Sequence, residues 1–269
     1  MISTLRFGKP RTFVQVGAYT GDDRLIEACK RFGHRLYMFE PNPGRAADLE
    51  RKAAGAPNVR VIRKAVSNYD GSATFNIACY DDCSSLQTFD AEANAKWVHP
   101  WHPYKHFEMV GKIEVEVIRL DTFMSQEGVD VIDRLEIDAQ GEDLRVVESL
   151  GERACDVKKI QIEVNIHDAP LYDRSFTRED AMALLAQLGF ERHISWKQSM
   201  GREENIIFRS RRFYPNAPAN ELFSTVEQGW VSARIAWVKL PKALAITKMM
   251  MLRKITGGRP AAQSNSGEL

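Results

Sequence analysis

Short apolar segments alternate with amphipathic helical patterns along the first 210 residues, and this alternation constrains the fold more than any other feature of the sequence. An apolar run at 13–16 precedes a helical pattern at 22–32, and a second run at 35–40 precedes a helical pattern at 43–54. This order of elements is typical of a parallel sheet that is covered by helices. The sequence therefore predicts a doubly wound α/β domain over residues 1–210.

The remaining elements of the predicted sheet follow the same order, with one interruption. They are strands at 59–66, 131–138, 157–165, 190–196 and 205–209 and helices at 142–150 and 177–188. The interruption consists of two segments with strand-like alternation, 72–78 and 112–120, on either side of a long connection at 79–111. Because connections of this length inside a domain are typically functional, residues 79–111 are predicted to form a substrate lid.

Charge and cysteine content exclude several classes of protein. The 37 basic and 36 acidic residues nearly cancel, so the chain lacks the strong positive field of a nucleic-acid-binding protein. The four cysteines are scattered and form no CxxC pair, which favours free thiols over a zinc site and predicts no bound metal. We find neither a secretory signal nor an apolar run long enough to span a membrane, so a cytoplasmic location is expected.

The last part of the sequence differs in charge and in pattern. Residues 211–269 contain nine basic and three acidic residues, and Trp, Leu, Ile and Met alternate with Lys and Arg over 230–254. Pro241 interrupts this pattern, so residues 211–256 are predicted to form a basic extension of two short amphipathic helices, followed by a disordered tail at 257–269. Three roles remain open for the extension: peripheral contact with the inner face of a membrane, docking on the catalytic domain, or a homodimer contact.

A glycine-rich turn and an acidic residue indicate a nucleotide-type ligand. The first strand runs into Gly17-Ala-Tyr-Thr-Gly21, and Glu40 ends the second strand. Neighbouring parallel strands end at the same edge of a sheet, where a carboxylate can accept hydrogen bonds from ribose hydroxyls. The GxxxG spacing lacks the pyrophosphate-binding pattern GxGxxG, which favours S-adenosylmethionine over NAD. The alternative is a pair of turn glycines beside a solvated glutamate.

Five sequence blocks occur together in a fixed order and carry a family resemblance. They are FVQVGAYTGD at 13–22, FEPNP at 39–43, KAVSNYDG at 64–71, RLDTF at 119–123 and LEIDAQGEDL at 135–144. Together they resemble the FkbM-type family of S-adenosylmethionine-dependent methyltransferases. The resemblance implies a class I methyltransferase sheet with strand order 3-2-1-4-5-7-6. It also implies O-methylation of a sugar, a glycan, a glycolipid or a related natural product.

The same resemblance implies a cofactor site at the ends of the first three strands. Gly17 and Gly21 would line the methionine end of the cofactor, Glu40 would bind its ribose, and residues 65–67 would flank its adenine. The cofactor-binding residues predicted in this way are Gln15, Gly17, Ala18, Tyr19, Gly21, Glu40, Pro41, Ala65, Val66, Ser67 and Asp138. The chain departs from the family pattern at two positions, since Gln15 replaces a usual acidic residue and Glu136 replaces a common lysine.

Two residues are candidates for proton acceptor. Methyl transfer to a hydroxyl requires that the hydroxyl is held in line and that its proton is accepted. Asp138 ends the fourth strand of the main sheet, and His167 follows Glu163 and Asn165 at spacings of two, which place the three side chains on one face. We predict Asp138 and His167 as catalytic residues, although a histidine in a loop can also be an ordinary surface residue. Glu142 is predicted to cap the following helix.

Aromatic and histidine residues alternate in the middle of the predicted lid, where they could stack on sugar rings and bond their hydroxyls. An alternative is that these aromatic side chains only pack the lid on the domain. Three histidines here do not favour a metal site, because Pro100 and Pro103 prevent a regular helix. The predicted substrate-binding residues are Ser84, Ser85, Trp97, His99, Trp101, His102, Tyr104, Glu163 and Asn165.

Two other functions use the same kind of sheet and remain as alternatives. An NAD-dependent oxidoreductase agrees poorly with the glycine spacing and with the absence of a Tyr-x-x-x-Lys pair near the site. A non-catalytic binding protein would keep the nucleotide-binding fold without the chemistry. The sequence therefore favours an S-adenosylmethionine-dependent O-methyltransferase with a small-molecule or glycan acceptor.

Overall fold

The computed structural model of the chain describes residues 9–91, 107–166, 170–198 and 202–215. The strands are β1 (Thr12–Val16), β2 (Arg35–Phe39), β3 (Val59–Ile62), β4 (Ala65–Val66), β5 (Gly71–Ala78), β6 (Met109–Ile118), β7 (Arg134–Ile137), β8 (Lys159–Asn165), β9 (Phe190–Gln198) and β10 (Glu203–Ser210). The α-helices are α1 (Asp23–Phe32), α2 (Pro43–Ala53), α3 (Leu120–Gln126), α4 (Asp143–Glu148) and α5 (Arg178–Gln187). Asp81–Cys83 and Gly151–Asp156 form short 3₁₀ helices.

The strands of the main sheet have the order β3-β2-β1-β7-β8-β10-β9. All neighbouring strands are parallel except β10, which runs antiparallel to both β8 and β9. Numbering only these seven strands along the chain gives 3-2-1-4-5-7-6, the order that the family resemblance implied. The predicted class I methyltransferase fold is therefore confirmed.

A second, three-stranded sheet has the order β4-β6-β5. It corrects the prediction of one continuous strand over 59–66, because β3 belongs to the main sheet whereas β4 pairs with β6. The ladder between β2 and β3 ends where Phe39 pairs with Ile62, and the following residues Ala65 and Val66 pair with β6 instead. Ala65 lies in the cluster of the small sheet, and Val66 lies in the main core.

Helices cover the main sheet on both faces, as its alternating pattern requires. One face of β1 places Val14 and Val16 in the larger apolar cluster, to which α3, α4 and α5 contribute. The opposite face carries Phe13, which packs with the cluster formed by α1, α2, β2 and β3. The strands β1, β2, β7 and β8 are parallel, so their carboxyl ends lie at one edge of the sheet, and the polar residues of the predicted site follow these strands.

Capping residues set the start of three helices. Asp22 accepts hydrogen bonds from the backbone amides of Arg24 and Leu25 at the start of α1, and Asn42 caps α2, which begins with Pro43. The predicted capping box of Thr177 and Asp180 is present at the start of α5.

Leu120 begins α3, whereas the sequence predicted it to end a strand. The backbone amide of Arg119 donates to Asp70 Oδ1 (2.8 Å), and that of Leu120 donates to Ser149 Oγ (3.1 Å). These side-chain acceptors replace strand partners, so the ladder of β6 ends at Ile118.

The two described ends of the predicted lid pack against the segment after β8. Phe89 and Phe107 form an apolar cluster with Leu171 and Tyr172, and the ring of Phe89 lies 5.4 Å from that of Tyr172. The middle of the lid lies outside the described residues, as do the predicted amphipathic helices and tail beyond residue 215. Within the described ranges, no helix is long and apolar enough to cross a membrane.

Candidate active site

The first cleft, as we name it, opens at the carboxyl ends of β1, β2 and β7. It encloses about 540 Å³, including the space at its open mouth. Its described lining comes from strands, from the segments that follow them and from the 3₁₀ helix Asp81–Cys83. The residues are Val16, Gly17, Tyr19, Phe39, Glu40, Pro41, Lys64, Ala65, Val66, Phe75, Asp81, Asp82, Ser84, Leu86, Asp138, Ala139, Gln140 and Glu142.

The turn after β1 requires glycine for packing as well as for conformation. Gly17 has φ +71°, and a Cβ atom there would lie 1.9 Å from the carbonyl oxygen of Asp138. Gly21 has φ +69°, and a Cβ atom there would lie 2.9 Å from the side chain of Leu49 on α2. The first glycine lets the turn lie against the end of β7, and the second lets it lie against α2. Gly21 and Ala18 are absent from the described lining of the first cleft.

Glu40 is 5% exposed, and its carboxylate holds the two turns together. Oε2 accepts a hydrogen bond from the backbone amide of Tyr19 (2.7 Å), and Oε1 accepts one from the amide of Asn42 (2.9 Å). Burial raises the pKa of Glu40, while these two amides act in the opposite direction. Each carboxylate oxygen can accept a second hydrogen bond, and Glu40 lines the cleft, so its carboxylate can bind ribose hydroxyls.

Apolar side chains form the wall of the first cleft where the adenine was predicted. Ala65 and Val66 line it together with Phe75 and Leu86. This wall suits a flat aromatic base. Ser67, the third residue predicted beside the adenine, is fully buried and is absent from the described lining.

Glu142 does not cap α4, and this prediction was wrong. The helix has no side-chain cap bond at Glu142. The carboxylate of Glu142 is buried and accepts hydrogen bonds from Ser67 Oγ (2.8 Å), Arg145 Nη1 (2.8 Å) and Gln87 Nε2. Ser67 and Gln87 from other parts of the fold and Arg145 of α4 itself thus use the carboxylate that was predicted to cap the helix. Glu142 thereby ties the end of β4 and the start of the predicted lid to α4.

The two residues that depart from the family pattern, Gln15 and Glu136, are hydrogen-bonded to each other. Gln15 on β1 lies opposite Glu136 on β7, and Gln15 Nε2 donates to Glu136 Oε2 (2.7 Å). Glu136 also forms an ion pair with Arg134 (2.7 Å). Gln15 Oε1 is buried and has no hydrogen-bond partner among the described residues, and Gln15 is not among those that line the first cleft. A cofactor contact for Gln15 remains a prediction.

Asp138 follows β7 and lies in the wall of the first cleft. Its side chain is accessible from the cleft, and Oδ1 accepts a hydrogen bond from Gln140 Nε2 (2.6 Å). Desolvation by the surrounding protein raises the pKa of Asp138, and the negative charge of Asp82 raises it further. Hydrogen bonds with Gln140 and Glu163 lower it. A carboxylate with a raised pKa accepts a proton more readily than an ordinary aspartate does.

A second cleft lies on the other side of Gln140, which lines both clefts. It encloses about 510 Å³, including its open mouth. Its described lining residues come from the segments after β7 and β8, from β8 itself, from α5 and from β10. They are Gln140, Gly141, Asp143, Leu144, Ile162, Glu163, Val164, Asn165, Leu171, Tyr172, Ser175, Phe176, Ala181 and Glu203. Glu163 and Asn165 line it together, as their spacing of two along β8 predicts.

The acidic residues at the second cleft influence one another. Burial raises the pKa of Glu163 well above its usual range, and the charges of Asp138, Glu203 and Asp143 add to this. Burial and the charge of Asp138 raise the pKa of Asp143 to about 7. Sequence reasoning missed Asp143 and Glu203. The signal for Glu203 is the register of β10 on β8, since this antiparallel pairing places Glu203 opposite Asn165.

Tyr19, Arg45 and Asp81 form a polar contact at the mouth of the first cleft. The Tyr19 hydroxyl donates to Asp81 Oδ1 (3.0 Å), and Arg45 Nε donates to Asp81 Oδ2 (2.6 Å). The Arg45 guanidinium also lies 4.8 Å from the centre of the Tyr19 ring. Burial and Asp81 raise the pKa of Tyr19 to about 12. The contact joins the glycine turn to the 3₁₀ helix that begins the predicted lid.

The two serines of the predicted lid hold the backbone in place. Ser84 lines the first cleft, and its Oγ accepts a hydrogen bond from the amide of Ala78 (3.0 Å). Ser85 Oγ donates to the carbonyl oxygen of Gln140 (2.6 Å). A role for either serine in substrate binding remains a prediction.

Several predicted site residues lie outside the described ranges. They are Trp97, His99, Trp101, His102, Tyr104 and His167, and their roles remain predictions. Among the residues that the structure describes, no group of three or more His, Cys, Asp or Glu side chains is arranged to hold a metal ion.

Solved methyltransferase structures are similar to this chain at low sequence identity. A TehB-like S-adenosylmethionine-dependent methyltransferase from Corynebacterium glutamicum is 10% identical, with a TM-score of 0.37, and the match covers 76% of this chain and 82% of that one. Aeropyrum pernix fibrillarin in complex with natively bound S-adenosyl-L-methionine is 11% identical, with a TM-score of 0.38, and the match covers 77% of this chain and 70% of that one. Both scores are below 0.5, so the class I assignment rests on the strand order of the chain itself.

One curated protein is similar to this chain, and one family model identifies the family. The 2-O-methyltransferase NoeI of Sinorhizobium fredii strain NBRC 101917 / NGR234 is 25% identical over 163 residues, which span 60% of this chain and 65% of that protein. The model of the methyltransferase FkbM domain matches residues 15–192, more than half of the chain. The protein is therefore a member of the FkbM methyltransferase family.

Proposed function

We propose that this protein is an O-methyltransferase that acts on a hydroxyl of a carbohydrate-type acceptor, namely a sugar, a glycan, a glycolipid or a related natural product. The observation that carries the proposal is the arrangement of two clefts on either side of Gln140, with the carboxylate of Asp138 bonded to that residue. A cofactor in the first cleft and an acceptor in the second would meet at Asp138.

The residues of the first cleft fit S-adenosylmethionine. Glu40 would bind the ribose hydroxyls, and the apolar wall that includes Ala65 and Val66 would contact the adenine. Five described acidic residues and one lysine line this cleft, an excess of negative charge that suits a positively charged sulfonium. The acidic residues are Glu40, Asp81, Asp82, Asp138 and Glu142, and the lysine is Lys64.

When bound, S-adenosylmethionine supplies a methyl group on a positively charged sulfur, which a hydroxyl oxygen can displace. The chain must then hold the acceptor hydroxyl in line with this methyl group and exclude water. Asp138 would accept the proton that the acceptor hydroxyl loses when its oxygen takes up the methyl group. The bond from Gln140 to Oδ1 fixes the orientation of the Asp138 carboxylate toward the acceptor hydroxyl.

Two observations support a carbohydrate-type acceptor. The second cleft combines the rings of Tyr172 and Phe176 with the polar side chains of Glu163 and Asn165, the combination that binds the apolar faces and the hydroxyls of a sugar. The relative NoeI is named a 2-O-methyltransferase, and it matches 163 residues of this chain at 25% identity.

The test is methyl transfer from isotopically labelled S-adenosylmethionine to a panel of mono- and oligosaccharides, with plant phenols as a comparison. We expect labelled product from sugars, and we expect Asp138→Asn to reduce turnover about a hundredfold or more. The affinity of this variant for S-adenosylhomocysteine, measured by calorimetry, should stay close to the wild-type value.

Asp130→Asn is the matched control, because Asp130 is an exposed aspartate away from both clefts. Transfer to phenols but to no sugar would contradict the acceptor class. Equal turnover of Asp138→Asn and Asp130→Asn would remove Asp138 from the reaction.

A further inference from the structure

The second cleft is acidic and has no compensating basic residue in its described lining. Asp143, Glu163 and Glu203 line it, and none of the described lining residues is Lys, Arg or His. Two arginines of the surrounding elements have their own partners. Arg145 bonds to Glu142, and Arg174 Nε donates to Gln87 Oε1 (3.0 Å).

Asp143 has an unsatisfied oxygen atom at this cleft. The residue is 8% exposed, and Oδ1 has no hydrogen-bond partner among the described residues. Asp143 is fixed in the first turn of α4, and backbone amides of Ala139 and Gly141 stabilise its charged form. An unpaired carboxylate oxygen in such a place is costly, unless a positive charge binds nearby.

Glu163 brings a second carboxylate to the same cleft from β8. It shares a hydrogen bond with Asp138, and Asn205 Nδ2 lies 3.5 Å from its Oε1. Asp138, Asp143 and Glu203 all act on Glu163 with negative charge. The field in this cleft therefore favours a cation over a neutral ligand.

Aromatic residues complete the cleft. Tyr172 donates a hydrogen bond to Gln140 Oε1 (2.6 Å), which fixes its ring at the boundary between the two clefts. Phe176 lines the cleft as well, and the guanidinium of Arg145 lies 5.0 Å from the centre of its ring. Aromatic rings next to carboxylates bind organic ammonium groups in preference to strongly hydrated metal ions.

We propose that the acceptor carries a protonated amine near the hydroxyl that is methylated, and that Asp143 and Glu163 bind this ammonium group in the second cleft. An amino sugar has both groups on one ring. This inference rests on the proposed function, because it assigns the second cleft to the acceptor. Glu163 supplies the contact on the cleft wall, and Asp143 adds its charge from the more buried side.

The test measures sugar binding to the full chain saturated with S-adenosylhomocysteine, whose sulfur is uncharged and does not compete for the carboxylates. Calorimetric titrations compare glucosamine with glucose and galactosamine with galactose at about pH 7, where an amine with a pKa of about 7.7–8 is still mostly protonated. Asp143, with a pKa of about 7, is partly ionised at this pH. We expect each amino sugar to bind at least about tenfold more tightly than its neutral counterpart. This preference should be lost in Asp143→Asn and in Glu163→Gln, whereas Glu152→Gln, an exposed control, should retain it.

Each result decides the inference. Equal binding of the paired sugars, tighter binding of the neutral sugars, or no binding of any of them overturns it. A preference for amino sugars that persists in both variants also overturns it, because the ammonium group would then bind elsewhere. Binding of S-adenosylhomocysteine is measured in the same titrations. If the wild-type protein does not bind S-adenosylhomocysteine, the proposed function is contradicted. If it binds S-adenosylhomocysteine but shows no preference for amino sugars, only this inference is contradicted.

Discussion

Gln140 Nε2 donates a hydrogen bond of 2.6 Å to Asp138 Oδ1, and Gln140 Oε1 accepts one of 2.6 Å from the Tyr172 hydroxyl. One amide thus links the proposed proton acceptor to an aromatic wall of the second cleft. The orientation of the Asp138 carboxylate therefore depends on a residue that contacts both clefts.

Gln140→Asn should reduce kcat about tenfold, because the shorter amide cannot bond to Asp138 and Tyr172 together. Asparagine is suitable because Gln140 has φ +52°, a conformation that asparagine tolerates. The Gln140 bond lowers the pKa of Asp138, so its loss raises that pKa, and the acidic limb of the kcat/KM profile should move to higher pH. An unshifted pH profile, alongside the exposed control Gln126→Asn, would argue against this role.

Glu40→Ala should weaken S-adenosylmethionine binding about 10- to 100-fold, because the ribose would lose a charged acceptor. The amides of Tyr19 and Asn42 would also lose their partner, so the turn after β1 would be held less firmly. Calorimetry checks the affinity, and Glu40→Gln should have a smaller effect because it keeps one acceptor oxygen. Unchanged affinity in Glu40→Ala would show that the ribose binds elsewhere.

Gly17→Ala should lower the free energy of unfolding by at least about 2 kcal/mol more than Gly33→Ala does. Both glycines have nearly the same φ, +71° and +69°, so the conformational cost of alanine is similar at the two positions. Only at Gly17 would the new Cβ atom meet another group, the carbonyl oxygen of Asp138, whereas nothing lies within 4 Å at Gly33. Urea unfolding measures the difference, and equal losses would contradict the packing argument.

Asp81→Asn should speed the release of S-adenosylmethionine and raise its KM several-fold, with a smaller effect on kcat. The substitution weakens the contact that joins Tyr19 and Arg45 to the 3₁₀ helix at the mouth of the first cleft. Stopped-flow dissociation measures the rate. Glu50→Gln is the control. Glu50 lies on α2, as Arg45 does, and its ion pair with Arg63 is outside the first cleft. Equal dissociation rates in the two variants would show that this polar contact does not retain the cofactor.

Asp143→Asn should become more stable relative to the wild type as pH rises. The folded-state pKa of Asp143 is raised from 3.8 to about 7, so the folded state retains a proton that the unfolded state releases. The stability of the wild type therefore falls between these two pH values, whereas the asparagine variant lacks this loss. Urea unfolding at several pH values gives the difference in free energy, and a difference that is constant between pH 3.8 and 7 would contradict the shift.

Much of the fold follows from local pattern. The alternation of apolar runs and amphipathic helices predicted the main strands, and the capping box at Thr177 predicted the start of α5. The strand at 59–66 was the main error, because periodicity within one segment cannot show that its first half pairs with β2 and its last two residues pair with β6.

The sequence by itself determined the family, the class I sheet and the positions of Gly17, Glu40 and Asp138 at strand ends, because these depend on local conformation and on motif order. Only the tertiary structure decided what each side chain contacts. It placed Glu142 among Ser67, Gln87 and Arg145 rather than at a helix cap, and it paired Gln15 with Glu136. The reason is physical: hydrogen bonds and charge interactions between residues far apart in the chain depend on distances that only the folded sheet sets.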